Sequence, residues 1–284
     1  MQKARQLRGK IIVRWVTLLL GICVFGWCYH DVLVWMYQRY IGADSYYSHG
    51  FLVPFITAYM IYQRREELSR LTFSGSAWGL LLIGVALFLH IAGTVLYVFL
   101  ISGVSIIFLV FGISLLLFGA RATSIISFPL AFLIFMLPLP IAVIGAVSVP
   151  LKNLVTKISV GIVSLMDIPI FREGFNITIP NGRLIVGNPC SGLRSLIAFL
   201  GIGTFLAYLE KISFVRKISL VLWTIPIAIA ANVIRVLLLI LISHYAGLDA
   251  AAPGTFWHFA SGVIMFAIGL SALFGVRFLL EWKK

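Results

Sequence analysis

Residues 218–243 read ISLVLWTIPIAIAANVIRVLLLILIS, twenty-six positions of which one, Arg235, is charged. At about 1.5 Å per residue a helix of that length outruns a hydrocarbon layer of roughly 30 Å, so the stretch reads as a membrane crossing. Seven further apolar stretches, near 11–29, 50–63, 76–97, 99–118, 124–139, 190–209 and 256–280, repeat the pattern along the 284-residue chain. Composition agrees: 61% of residues are hydrophobic and 11% charged, and the mean hydropathy is +1.08. A soluble domain does not carry such a balance. The expected fold is an all-α integral membrane protein of about eight transmembrane helices, forming one multi-pass domain over 1–284.

The formal charge of +13 would suit a nucleic-acid binder, but its placement argues otherwise. The N-terminal tail holds Lys3, Arg5, Arg8, Lys10 and Arg14. Threading the spans from there puts Arg64, Arg65 and Arg70 on the same side, then Arg121, then Lys211, Arg216 and Lys217, and finally Arg277, Lys283 and Lys284. By the positive-inside bias that side is the cytoplasm. The charge is therefore a topology signal, and the expected location is the cell (cytoplasmic) membrane with both termini cytoplasmic. The first apolar stretch lacks a small-residue cleavage site before Trp27, Tyr29 and His30, so it is read as a retained span.

The threading closes only if 141–168 does not cross. Ser148, Lys152, Asn153, Thr156, Lys157 and Ser159 recur at three- and four-residue steps, opposite Val147, Leu151, Leu154, Val155 and Ile158. Such a helix is expected to lie flat in the membrane interface or to line a cleft; a ninth span with a polar stripe facing the bundle is the alternative. Next comes FNITIPNGRLIVG, residues 175–187, in which Ile177 and Ile179, then Leu184 and Val186, alternate with other residues around Asn181-Gly182. This predicts a short extracytoplasmic β-hairpin that delivers the chain to Cys190. Its strands could also pair with an extended peptide by strand addition.

Asn188 suits an N-cap and Pro189 a first helical position, which would put Cys190 in the first turn of the span 190–209. Free backbone N–H groups and the helix dipole stabilise a thiolate there, and Gly192 would leave room for a substrate backbone. Cysteine is as often a small buried hydrophobe. Arg235 lies about eight residues, roughly 12 Å, below the outer end of its span. A guanidinium at that depth costs about 2.5–3.5 kcal/mol on insertion scales and so needs a partner or water. Asn232, three residues earlier, shares its helical face. His258 begins the last span at the same outer side, with a ring able to accept and return a proton near neutral pH.

A thiol, a guanidinium and an imidazole from three spans fit thiol acyl transfer. His258 would take the proton of Cys190 and later give it to the leaving amine, while Arg235 would hold an oxyanion. Release by water makes a protease and release by an amine a transpeptidase. Two other classes compete: a transporter or channel that uses Arg235 as an anion site, and a membrane acyltransferase.

The segments PCSGLRSL (189–196), IPIAIAANVIRV (225–236) and GTFWHFASG (254–262) resemble those of the exosortases and archaeosortases, multi-pass membrane cysteine enzymes that process C-terminal sorting signals. YYSHGFLVP (46–54), FPLAFLIFMLPLP (128–140) and FREGFNITIPNGRLIV (171–186) are weaker echoes. Asn188-Pro189 stands where many relatives carry an acidic residue and alanine. The resemblance implies that Cys190, Arg235 and His258 are catalytic. It also implies substrates with a Pro-Glu-Pro type motif, a transmembrane helix and a basic tail, cleaved at the outer face of the membrane. The partners implied are such secreted proteins and membrane lipid.

Three supporting candidates remain. Asn232 would bind beside Arg235, Arg194 would lie one turn below Cys190 on the same face, and His49 would line a substrate cleft. His90 and His244 read as packed residues, as do Cys23 and Cys28. No spacing suggests a metal site, and no cofactor is implied.

Overall fold

The computed structural model describes residues 15–17, 19–42, 45–187 and 191–282. Asn188, Pro189 and Cys190 lie outside the described residues, as do the terminal basic residues 3–14, Lys283 and Lys284. The chain divides into two units, Met1–Gly42 with Ile56–Leu137, and Ala43–Phe55 with Pro138–Lys284.

In the first unit α1 (Trp15–Cys28) meets α2 (His30–Ile41) at a bend of 73°. After α3 (Val53–Gln63), which starts in the second unit, and the short α4 (Arg65–Ser69) come α5 (Trp78–Val95) and α6 (Phe99–Phe132). Small residues let α5 and α6 approach closely: a Cβ on Gly79 would lie 2.6 Å from the Gly112 carbonyl, and one on Gly93 would lie 2.5 Å from the Ser102 nitrogen. His90 joins this contact to the α1–α2 bend. Its Nδ1 is 2.6 Å from the Ser102 hydroxyl and its Nε2 3.0 Å from the Cys28 carbonyl. Tyr29 stacks on the His90 ring at 4.1 Å and bonds Ser105 at 2.9 Å. The mid-span histidine is thus a fully used packing residue, as its position suggested.

α6 is not one straight rod. Gly119 has φ 81° and ψ 176°, and the Ser114 and Thr123 hydroxyls, nine positions apart, are 2.9 Å from each other. In a straight helix nine residues span roughly 13 Å. The chain therefore turns sharply at Gly119, next to the cationic Arg121 that sequence placed in a loop.

The second unit holds α7 (Ile141–Val163), a three-stranded antiparallel sheet of β1 (Phe171–Glu173), β2 (Asn176–Ile179) and β3 (Gly182–Ile185), and then α8 (Leu193–Leu209), α9 (Phe214–Ala246), α10 (Leu248–Ala251) and α11 (Phe256–Trp282). The hairpin is present, with two additions. Ile179 pairs with Gly182, so Pro180 and Asn181 make the turn, one residue earlier than expected. β1 adds a third strand by pairing Phe171 with Thr178 and Glu173 with Asn176. The Asn181 amide donates to the carbonyls of Ser243 and His244, tying the turn to the end of α9. Ile177, Ile179 and Val186 are buried with Val155 and Val163 of α7, Val236 and Ile240 of α9, and Ala251 of α10. Fully burying an aliphatic side chain is worth about 1.5–3 kcal/mol, so alternation along β2 and β3 seats the sheet on α7 and α9.

The polar stripe of α7 is turned inward. Ser148, Lys152, Thr156 and Ser159 are buried together with Val155, whereas Val147, Leu154, Lys157 and Ile158 are exposed. Ser159 donates to the Val233 carbonyl of α9 at 3.4 Å, and the Lys152 ammonium lies 4.6 Å from the centre of the Phe175 ring. A helix lying in the interface would show the opposite face to water. Among the described residues five helices are long and apolar enough to cross a membrane, 141–166 among them, and the bent α1–α2 pair would make a sixth. The expected count of about eight is not established. At 11 and 17 residues α3 and α8 are shorter than a full crossing, and the count of five takes Phe99–Met136 as one span although its two arms turn at Gly119.

Candidate active site

The site lies in the second unit, where α9 and α11 meet the start of α8. An apolar run builds α9, which extends for 33 residues with Pro226 in its interior. Arg235 sits on it eleven residues before the C-terminal end, roughly 16 Å below it. α11 begins at Phe256, after Pro253-Gly254, so His258 occupies its first turn. Sequence places Arg235 and His258 in the same outer half of their spans. They meet because α9 continues for three turns past Arg235, while the chain returns along residues 247–255 and opens α11 beside it.

The Arg235 guanidinium donates from Nη2 to Nε2 of His258 at 3.2 Å. A guanidinium has no acceptor, so Nε2 must offer its lone pair and the ring proton sits on Nδ1. Nδ1 lies 3.1 Å from the Ala251 carbonyl, which accepts that proton. Both ring nitrogens are thus assigned by their partners, and His258 is held as one neutral tautomer. Gly262, one turn further along α11, faces the guanidinium: a Cβ there would lie at ordinary contact distance, 3.9 Å, from both Cζ and Nη2 of Arg235. The Ser261 hydroxyl donates to the His258 carbonyl at 2.7 Å.

Asn232 is fully buried on α9, one turn before Arg235. Against it packs Gly192, whose Cβ, if present, would lie 2.9 Å from the Asn232 Nδ2 and 3.0 Å from its Cγ. Gly192 does not leave a bare face for a substrate, as sequence suggested; Asn232 fills that space. Its φ of 79° also moves the start of α8. The helix opens at Leu193 after Gly192, and the Ser191 hydroxyl accepts from the Leu193 N–H at 3.3 Å. Arg194 thus falls in the first turn of α8, and its expected one-turn relation to Cys190 involves a residue outside the described ones. Cys190 itself lies outside the described residues; its covalent neighbour Ser191 is buried beside Gly192. These two residues, with Asn232, Leu151, Val155, Leu196, Ala228 and Ile229, line a narrow, mostly apolar crevice.

The structure therefore pairs Arg235 with His258 and, one turn earlier on α9, seats the Ser191-Gly192 corner on Asn232. Arg194 is half-buried in the first turn of α8. His49 is half-buried in a 3₁₀ turn at Ser48–Phe51, its ring centre 5.8 Å from that of Tyr47. Cys23 and Cys28 are free and exposed. Gly262, Ala251 and Thr255 were missed. A carbonyl that orients a ring leaves no mark in sequence, but a threonine directly before an apolar helix is a capping signal that was there to be read.

No curated protein and no solved structure gives a match to the chain. The family model described as transmembrane exosortase matches residues 35–275.

Proposed function

The chain belongs to the transmembrane exosortase family, and from that premise we propose that it cuts and transfers C-terminally tagged exported proteins through a thioester on Cys190, with Arg235 and His258 as its partners. Membership makes it a multi-pass membrane protein of a protein-sorting, cysteine protease and transpeptidase family, and sets aside the transport and acyltransferase alternatives. The observation that carries the finer reading is the Arg235–His258 bond, made across two helices one turn along α9 from Asn232, on which the corner that follows Cys190 is seated.

The chemistry follows from that bond. Nε2 of His258 takes the thiol proton of Cys190, and the thiolate adds to the scissile carbonyl carbon. An imidazolium has no lone pair on Nε2, so its bond from Arg235 breaks and the guanidinium is released towards the oxyanion. The step that makes the nucleophile thereby frees its oxyanion donor. When the tetrahedral adduct collapses, the C–N bond breaks, the leaving amine takes the Nε2 proton, and a thioester remains. Water or an acceptor amine then attacks, gives a proton to His258 and expels the thiolate, which recovers that proton. The products are a new acid or a new amide. The substrate class is a protein with a Pro-Glu-Pro type motif, a transmembrane helix and a basic tail. The site faces the extracytoplasmic side of the cell membrane, and the termini are cytoplasmic. Asn232 fixes the Ser191-Gly192 corner against α9.

The test is co-expression with a tripartite-tail substrate. Wild type should shorten it. Cys190→Ala, Arg235→Ala and His258→Ala, each present in the membrane at normal levels, should not, and wild type should form a covalent substrate adduct at Cys190. Processing by Cys190→Ala would refute the proposal.

A further inference from the structure

His258 is oriented by a stretch of backbone rather than by an acidic side chain. That stretch is α10 with the loop after it, and one side chain locks it. The Thr255 hydroxyl faces the carbonyls of Ala250 at 2.7 Å and Ala252 at 2.8 Å, which share its proton. The same oxygen accepts the backbone N–H of His258 at 3.3 Å, the N-cap position of α11. The Thr255 N–H donates to the Ala252 carbonyl at 3.2 Å, and Ala252 N–H to that of Asp249 at 3.3 Å. Between the two carbonyls that Thr255 grips stands Ala251, whose own carbonyl takes the Nδ1 proton of His258. Ala251 is buried in the cluster formed by β2, α7 and α9. At the other end of α10, Leu248 packs on Gly182 of β3, where a Cβ would lie 2.5 Å from its Cδ1. The acceptor for the imidazole is thus held from both ends.

We infer that Thr255 is a positioning residue for the reaction: by gripping the Ala250 and Ala252 carbonyls it aims the Ala251 carbonyl at His258 Nδ1 and so keeps the Nε2 lone pair directed into the site. In triads with a carboxylate, that group holds the imidazole in the required tautomer, and losing the tautomer costs far more than losing one ordinary contact. Here a peptide carbonyl does this, and a carbonyl can aim only if its own segment is immobile. The inference rests on the proposed role of His258.

Thr255→Val keeps the shape of the side chain and removes the hydroxyl, while Thr255→Ser keeps the hydroxyl. Each is purified as the full chain in detergent, and turnover of a tripartite-tail substrate is measured with ¹⁵N NMR of the histidine-labelled protein. Thr255→Val should lower kcat by about ten-fold, the equivalent of one hydrogen bond, with KM unchanged. Its NMR signals should show a mixture of Nδ1–H and Nε2–H forms at His258 where wild type shows Nδ1–H alone. Thr255→Ser should restore both. A Thr255→Val protein with wild-type kcat and a single tautomer overturns the inference, as does a Thr255→Ser protein as impaired as Thr255→Val. The NMR arm needs no substrate, so a wild type that processes nothing refutes the proposed reaction alone.

Discussion

Gly192→Ala is the sharpest test of how the cysteine-bearing corner is set against α9. Two costs add. A φ of 79° penalises an L-residue by about 1–2 kcal/mol. The new methyl would also fall 2.9 Å from Asn232 Nδ2, 3.0 Å from its Cγ and 3.2 Å from its Cβ, an overpacked contact of about 1–3 kcal/mol. The expected loss of stability is therefore about 2–5 kcal/mol, read as a lower melting temperature of the purified protein together with reduced processing. Asn232→Ala removes the two nearer atoms and leaves the backbone strain untouched. The double variant should thus recover about 1–3 kcal/mol, the steric share, and no more. A Gly192→Ala protein as stable as wild type, or one whose loss simply adds to that of Asn232→Ala, would refute the placement of Gly192 on Asn232.

Three further outcomes follow from the geometry. Arg235→Lys keeps a charge but loses the planar fork that reaches His258, so processing should fall by about a hundred-fold at unchanged membrane levels in a turnover assay. Asn181→Ala removes the two bonds that clamp the sheet turn to α9 and should cost about 1–3 kcal/mol, visible as a lower melting temperature. Burial pushes the Tyr47 hydroxyl up to about 12, with a hydrogen bond to the Leu139 backbone opposing it. The folded state then holds this proton more tightly than the unfolded chain, whose value is about 10. The resulting stability is complete below that value and is lost as pH rises through the folded one. Tyr47→Phe should flatten the alkaline decline in melting temperature over this interval.

Which parts of this could be read in the sequence depends on whether the signal was local. Arg235 and Asn232 announce themselves, because a guanidinium within an apolar run needs company and a three-residue step puts the amide on its face. The hairpin was legible from the alternation of Ile177, Ile179, Leu184 and Val186. The start of α8 was not: Asn188-Pro189 is a sound local cap, but Gly192 is left-handed and seated on Asn232, a partner forty residues away. Periodicity likewise showed that Ser148, Lys152, Thr156 and Ser159 share a side of α7, yet it cannot say which side meets protein. That Arg235 and His258 share the outer half of their spans was legible; that α9 runs on for three turns past Arg235 was not.

That extension of α9 has a consequence for anything that reaches the pair. Three turns of α9, with the sheet clamped to its tip, stand over Arg235 like the wall of a stairwell. A polypeptide arriving from that end has to descend the full flight before a peptide bond comes level with the imidazole. A segment that stays coiled shortens its reach by more than half relative to an extended one. For the proposed reaction, this favours substrates whose chain stays extended just before the scissile bond.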